Sequence, residues 1–216
     1  MTRQRSASRP ICGPRTTAFT LAEVLVAAAV ASLLLSAIFF IYRTSASAWM
    51  KGDTVTQLRN QTMIASGKIS RDLERSIYSS LSLSPDGKAI AFLSATDANG
   101  RFQYDVGNES PRWQNYLIYY LDVDSKLKLR RVSVVGSPQE TGPTVIDGFG
   151  PNQPVSTYTN GGELVADEIA ECQFSSELLA NGNHLLRLRL RASQQRYGSE
   201  RPESFELESV TYLRNQ

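Results

Sequence analysis

The chain has 216 residues, 41% of them hydrophobic and 20% charged, which is enough apolar material for one globular domain with additional segments. A formal net charge of +2 excludes a global basic field of the kind that drives nucleic-acid binding. One histidine and two cysteines give neither a zinc cluster nor a Ser/His/Asp triad with identifiable partners.

Charge is unevenly placed. Residues 1–18 hold Arg3, Arg5, Arg9 and Arg15 and no acid; without them nineteen basic residues face twenty-one acidic ones, a net of −2. From Phe19 to Ile41 the only charged residue is Glu23. At about 1.5 Å per residue this stretch spans roughly 30 Å as a helix, enough to cross a bilayer core. The arginines before it fit cytoplasmic retention of the N-terminus. The apolar run is too long for a secretory signal peptide, and the small residues Ser45-Ala46-Ser47-Ala48 arrive only after Tyr42 and Arg43. A plain signal anchor fits the length but leaves Glu23 to snorkel toward the interface.

Beyond Arg43 the helical pattern continues, with Val55, Leu58, Thr62, Ala65, Ile69, Leu73 and Ser76/Ile77 at spacings of three and four. Gly52 and Gly67 are weak points, and no proline occurs between Phe19 and Leu83. The spacing predicts one helix from about Phe19 to about Ser79, with an apolar membrane half (19–42) and an amphipathic half (43–80) packed on a sheet.

From residue 81 onward the period changes to two. Strands are predicted at Lys88–Leu93, after the turn Ser84-Pro85-Asp86-Gly87, and at Asn115–Leu121 and Lys126–Val132, which form a hairpin. Further strands are expected at Glu168–Ser175, Leu185–Arg191 and Ser204–Leu213, with residues 136–162 as a long loop. The fold class is α+β: a long N-terminal transmembrane and amphipathic helix packed on a C-terminal antiparallel β-sheet.

Several local signals read more simply as structure. Ser84–Phe92 resembles one repeat of the propellers related to the translocation protein B family, but no repeat recurs. Asp122-Val123-Asp124-Ser125 lacks the glycine and terminal glutamate of an EF-hand and reads as the hairpin turn. Leu186-Arg187-Leu188-Arg189-Leu190-Arg191 is the alternation of a strand with one wet face rather than a site for an anionic partner. Cys12 lacks a lipoprotein context, Cys172 reads as a buried structural thiol, and His184, beside Asn181-Gly182-Asn183, as a solvated loop residue.

Arg15-Thr16-Thr17-Ala18-Phe19-Thr20-Leu21-Ala22-Glu23 resembles the prepilin class of signal, in which a basic leader ends in glycine before Phe-Thr-Leu-x-Glu and a long apolar helix. The resemblance implies a pilin-like fold, cleavage by prepilin peptidase between Ala18 and Phe19, N-methylation of Phe19, and retention of the apolar helix. The mature chain would have 198 residues (216 less the 18 removed). Ala18 departs from the glycine of the family. The resemblance also makes Glu23 a filament-assembly residue, whose carboxylate pairs with a terminal amine of its own or of a neighbouring subunit.

Trp113 to Leu121 followed by Leu129-Arg130-Arg131, and then Leu164 to Phe174 before the last strands, is similar in order to the minor pseudopilins of type II secretion, the protein J group among them, and to the larger minor pilins. The implied protein is a subunit of a periplasmic filament anchored in the bacterial inner membrane. Its implied partners are other pilin or pseudopilin subunits, prepilin peptidase, the inner-membrane assembly platform and membrane lipid, with no nucleic acid and no cofactor. Alternatives are a minor type IV pilin of pilus assembly or DNA uptake, and a signal-anchored periplasmic binding or enzymatic domain. No catalytic constellation supports the last.

Overall fold

The computed structural model describes residues 19–97, 100–105, 107, 110–134, 145–146, 155–179, 184–195 and 201–213. The basic leader with Ala18 and Cys12, and most of the long loop predicted over 136–162, lie outside these residues. Two compact units divide at Trp49/Met50.

The first unit is helical. Helix α1 begins at Leu21 and ends at Glu74, and the part up to Tyr42 carries its large apolar side chains 51–79% exposed. Ser32, Ser36 and Thr44 turn their hydroxyls back onto the carbonyls of Ala28, Ser32 and Phe40 at 2.8–2.9 Å, so these polar groups are satisfied within the helix. The helix is long and apolar enough to span a membrane, and its apolar window is not buried inside protein.

The second unit contains the rest of α1 and, among the described residues, eight antiparallel strands in two sheets. Strands β1 (Ser82–Leu83), β2 (Ala89–Ser94), β3 (Asn115–Leu121), β4 (Leu127–Ser133) and β5 (Glu163–Ala166) make a five-stranded meander in that order. Strands β6 (Ile169–Leu178), β7 (His184–Gln194) and β8 (Glu203–Leu213) make a three-stranded one. The α+β class and the β3–β4 hairpin follow the sequence reading. The single sheet does not: the strands divide between β5 and β6, where Glu168 adopts a positive φ of 59°.

Period-two alternation builds two cores from the same strands. Ile90, Phe92, Leu117 and Tyr119 point one way, where they meet Leu58, Ala65, Ile69 and Leu73 of α1 and Leu186, Leu188 and Leu190 of β7. Ala89, Ala91, Leu93, Tyr116, Ile118 and Tyr120 point the other way, onto Ile77, Trp113, Ile146 and Val155. Strand β2 is therefore buried throughout. Strands β7 and β8 have one wet face: Arg187, Arg189, Glu206 and Glu208 are exposed, with Arg189 Nε 2.5 Å from Glu206 Oε1 and Arg187 paired to Glu208. The leucine–arginine alternation is thus a strand facing water, as expected.

The amphipathic stripe packs as predicted, but the helix stops five residues early. After Glu74 the chain passes through Ile77 in an extended conformation (φ −124°, ψ 149°) into a short 3-10 turn, Tyr78–Ser80. Serine hydroxyls explain the break. Ser80 Oγ donates to the Ile77 carbonyl at 2.9 Å and accepts the Leu93 N–H at 3.1 Å, so it draws the chain onto β2. Ser76 and Ile77 remain buried there, outside any helix.

Backbone bonds stitch the two sheets together. The Phe174 N–H donates to the Gly87 carbonyl at 2.7 Å, and the Ile169 N–H to the Ser125 carbonyl at 2.8 Å. Both acceptors lie in turns, Ser84–Gly87 and Asp122–Ser125, and both Gly87 and Ser125 have positive φ. In the first turn Ser84 Oγ donates to Asp86 Oδ1 at 2.5 Å, which holds the Asp86 carboxyl below its usual range. Gly162 has φ +94°, and a Cβ there would lie 2.6 Å from the Leu129 carbonyl oxygen, so glycine is required where β5 meets β4.

Ile69, fully buried, and Ile64, 67% exposed, sit on opposite faces of α1. Ile69→Ala should cost about 2–5 kcal/mol and Ile64→Ala under about 0.5 kcal/mol, read as urea midpoints of the full chain in detergent micelles.

Candidate functional site

The head of α1 is organised by two side chains. Thr20 lies just before the helix, and Glu23 is its third residue. The Glu23 N–H donates to Thr20 Oγ1 at 3.3 Å, while Glu23 Oε2 accepts from the Thr20 N–H at 2.9 Å and from the Thr20 hydroxyl at 3.0 Å. This is a capping box, in which each residue satisfies the other's backbone donor. The Thr20-Leu21-Ala22-Glu23 spacing carried that signal, and the sequence reading, occupied with charge pairing, missed it. A carboxylate here also meets the positive end of the helix dipole.

The arrangement holds the carboxylate beside the peptide that follows Phe19, which is 83% exposed. Oε1 takes part in none of these bonds, and a carboxylate has room for about four donors. An amine arriving at this end can therefore bind without dismantling the cap. Ala18, the predicted residue before the cut, lies outside the described residues.

The other singled-out residues lie elsewhere. Cys172 is 1% exposed within the main core, and burial pushes its thiol well above the usual range, which suppresses the reactive thiolate. His184 is not a loop residue: it opens β7 and stacks on Tyr78 with the rings 9° from parallel. Asp122 turns back onto the Val123 N–H at 2.8 Å and onto Lys128, as a hairpin turn requires. Among the described residues no group of three or more His, Cys, Asp or Glu converges in a way that could hold a metal ion.

A second feature was not foreseen. Along α1 in the second unit runs a groove of about 600 Å³, lined by Met63, Ile64, Lys68, Arg71 and Asp72 from the helix, by Arg75 just after it, by Arg131 from β4 and by Asp97, among others. Polar bonds hold three of its lining side chains, Asp72, Lys68 and Arg131. Tyr119 donates its hydroxyl to Asp72 Oδ2 at 2.5 Å, and burial together with the adjacent carboxylate pushes the phenol pKa up. Glu163 at the start of β5 accepts from Lys68 at 2.8 Å and from both terminal nitrogens of Arg131 at 3.2 and 3.3 Å. The lysine, and the arginine behind it, hold the Glu163 carboxyl below the ordinary glutamate range against a smaller opposing effect of burial.

Because the Glu163 pKa is lowered on folding, its contribution is fully present above about 4.5, the unperturbed value, and is lost as pH falls through the folded value. Glu163 and its partners are partly exposed, so the effect should be under about 1 kcal/mol. Glu163→Gln should flatten the decline in unfolding midpoint between about pH 5 and pH 3 and change little at pH 7.

Comparison with protein-family models, with curated proteins and with solved structures found no match to this chain.

Proposed function

We propose that the chain is a minor pseudopilin-like subunit: an inner-membrane protein cut by prepilin peptidase between Ala18 and Phe19, methylated at Phe19, and incorporated into a periplasmic filament of type II protein secretion. Its role is structural, with no catalytic residue of its own. The observation that carries this reading is the order of features at the N-terminus. A basic leader is followed by Phe19-Thr20-Leu21-Ala22-Glu23 and then by a helix whose apolar side chains are exposed on every side up to Tyr42. Such a helix needs lipid before assembly and neighbouring helices after it. An antiparallel sheet packed on the far part of the same helix is consistent with a pilin-like architecture. Minor pilins of pilus assembly or DNA uptake share every one of these features, and the neighbouring genes separate the systems.

Glu23 links cleavage to assembly in this proposal. Cutting before Phe19 creates a positive α-amino group next to a carboxylate whose Oε1 accepts no hydrogen bond among the described residues. An ion pair in low dielectric is tolerable only when both partners are present. Pairing with a neighbour's amine would set the axial register of stacked helices.

One observation favours a second reading, the signal-anchored domain. The capping box by itself gives Glu23 a purpose without any filament. The two readings part on a conservative substitution, because glutamine also closes a capping box but cannot pair with an amine. Glu23→Gln should reduce filament incorporation at least as severely as Glu23→Ala, about tenfold or more, if a buried ion pair is lost. Thr20→Ala, which removes the cap and keeps the charge, should cost the helix only about 1 kcal/mol and leave incorporation nearly intact. Incorporation that follows the cap and ignores the charge would sink the pairing proposal.

Cleavage is tested directly by mass and N-terminal sequence after co-expression with a prepilin peptidase. The expected product begins at Phe19 and is about 14 Da heavier than the unmodified chain, the mass of one methylene added on methylation. An intact leader, in cells that process a glycine-containing control, identifies either a block by Ala18 or a plain anchor. Ala18→Gly then decides, since only a genuine prepilin becomes cleavable.

A further inference from the structure

The groove along α1 combines exposed apolar side chains with arginines that make no ion pair among the described residues. Ile64 and Arg71, with Met63 and Gly67 beside them, recur at intervals of three, four and seven and so share one exposed stripe of the helix, and Arg75, exposed in the turn just after Glu74, follows Arg71 by four residues. Met63 and Ile64 are 50% and 67% exposed. Arg71 and Arg75 make no ion pair among the described residues, whereas Lys68 and Arg131 share Glu163 and Asp72 is held by Tyr119. Two arginines one turn apart repel; Asp72 and Asp97 line the same groove, Asp72 bonded to Tyr119 and Asp97 accepting from the Arg101 N–H and the Gln103 amide. Gly67 lies between the apolar and the basic ends. A Cβ there would meet nothing within 4 Å, and its backbone is helical, so neither space nor conformation within the chain requires glycine. Without a Cβ, Gly67 leaves an open notch in this stripe at which an incoming backbone can approach closely.

We propose that this stripe is the docking site for an acidic helix of another protein subunit. The incoming helix lies along α1, its carboxylates on Arg71 and Arg75, its apolar side chains on Met63 and Ile64, and its backbone against Gly67. Charge complementarity selects the occupant. A small anion would satisfy the arginines and leave the apolar end bare. A second copy presenting the same stripe would bring no carboxylate from that stripe to the arginines. The exposed acids Glu206 and Glu208 of a second copy are already tied to Arg189 and Arg187. The source of the helix, a neighbouring filament subunit, rests on the function proposed above; the chemistry of the groove does not.

The test uses the full chain in detergent micelles and a fluorescein-labelled synthetic helical peptide of about 20 residues. The peptide carries two glutamates one turn apart and two leucines two turns before them; a control carries lysine for glutamate. Fluorescence anisotropy should show the acidic peptide binding at least about tenfold tighter than the control, with the preference weakening as salt rises. Arg71→Glu with Arg75→Glu should abolish that preference, and the Arg71→Lys/Arg75→Lys pair should keep much of it. Gly67→Ala should raise the unfolding midpoint and yet weaken peptide binding severalfold, which a merely structural glycine would not do. Equal binding of the two peptides, or binding indifferent to the charge reversal, overturns the proposal. So does displacement of the peptide by sulfate at an ionic strength where chloride has no effect, since the groove is then an anion site. Self-association of the wild-type chain that the charge reversal removes overturns it in favour of a second copy. Peptide binding needs neither leader cleavage nor a filament, so its failure leaves the prepilin reading standing, and the reverse also holds.

Discussion

One apolar stripe holds the second unit together. Leu58, Ala65, Ile69 and Leu73 of α1 contribute to a single core with residues from both sheets, and without that stripe the inner faces of β2, β3 and β7 would be bare. The five-stranded sheet and the three-stranded sheet each supply only one wall. The helix closes the space between them, and Tyr119 bonded to Asp72 adds a polar tie at the same seam. Everything else in the unit is arranged around that burial. The strands that see two cores are apolar throughout, and those that see one alternate.

What was legible in the sequence is what has a short period. Asn115–Leu121 reads as a strand at its true ends because a run of tyrosine and aliphatic residues, bounded by a polar turn, has no competing pattern. Leu185 to Arg191 announces one wet face, and the paired glutamates of β8 complete the wet ladder. The segment Glu163–Ala166 gave no signal: it is four residues long, mostly exposed, and joins β4 with a register shift. The split into two sheets was equally hidden, because it rests on main-chain bonds from turns to β6 across 87 and 44 positions of sequence. The end of α1 was misplaced for a related reason. The apolar stripe continues to Ile77, and only the serine hydroxyl that reaches Leu93 shows that the backbone has left the helix.

The candidate sites divide along the same line. Glu23 stood out because a charge in an apolar run is costly, but the residue that orients it, Thr20, is unremarkable alone. The groove along α1 was invisible because its cations are dispersed through the helix and through β4. Only the fold shows which arginines have acidic partners and which do not. Glu23 and the arginine pair then pose one physical problem in opposite signs: a charged group, exposed, that forms no ion pair among the described residues.

The stitching of β6 to the two hairpin turns also has a temporal side. The chain is made from its N-terminus, so α1 and the strands of the five-stranded sheet are synthesised before β7 and β8. Until those last strands arrive, the wall supplied by Leu186, Leu188 and Leu190 is missing and the apolar faces of α1 and β3 stay open. Contacts of such long sequence separation close slowly. A newly made molecule therefore passes through an interval in which it is unfinished, with its core open to chaperones, to proteases and to its own neighbours.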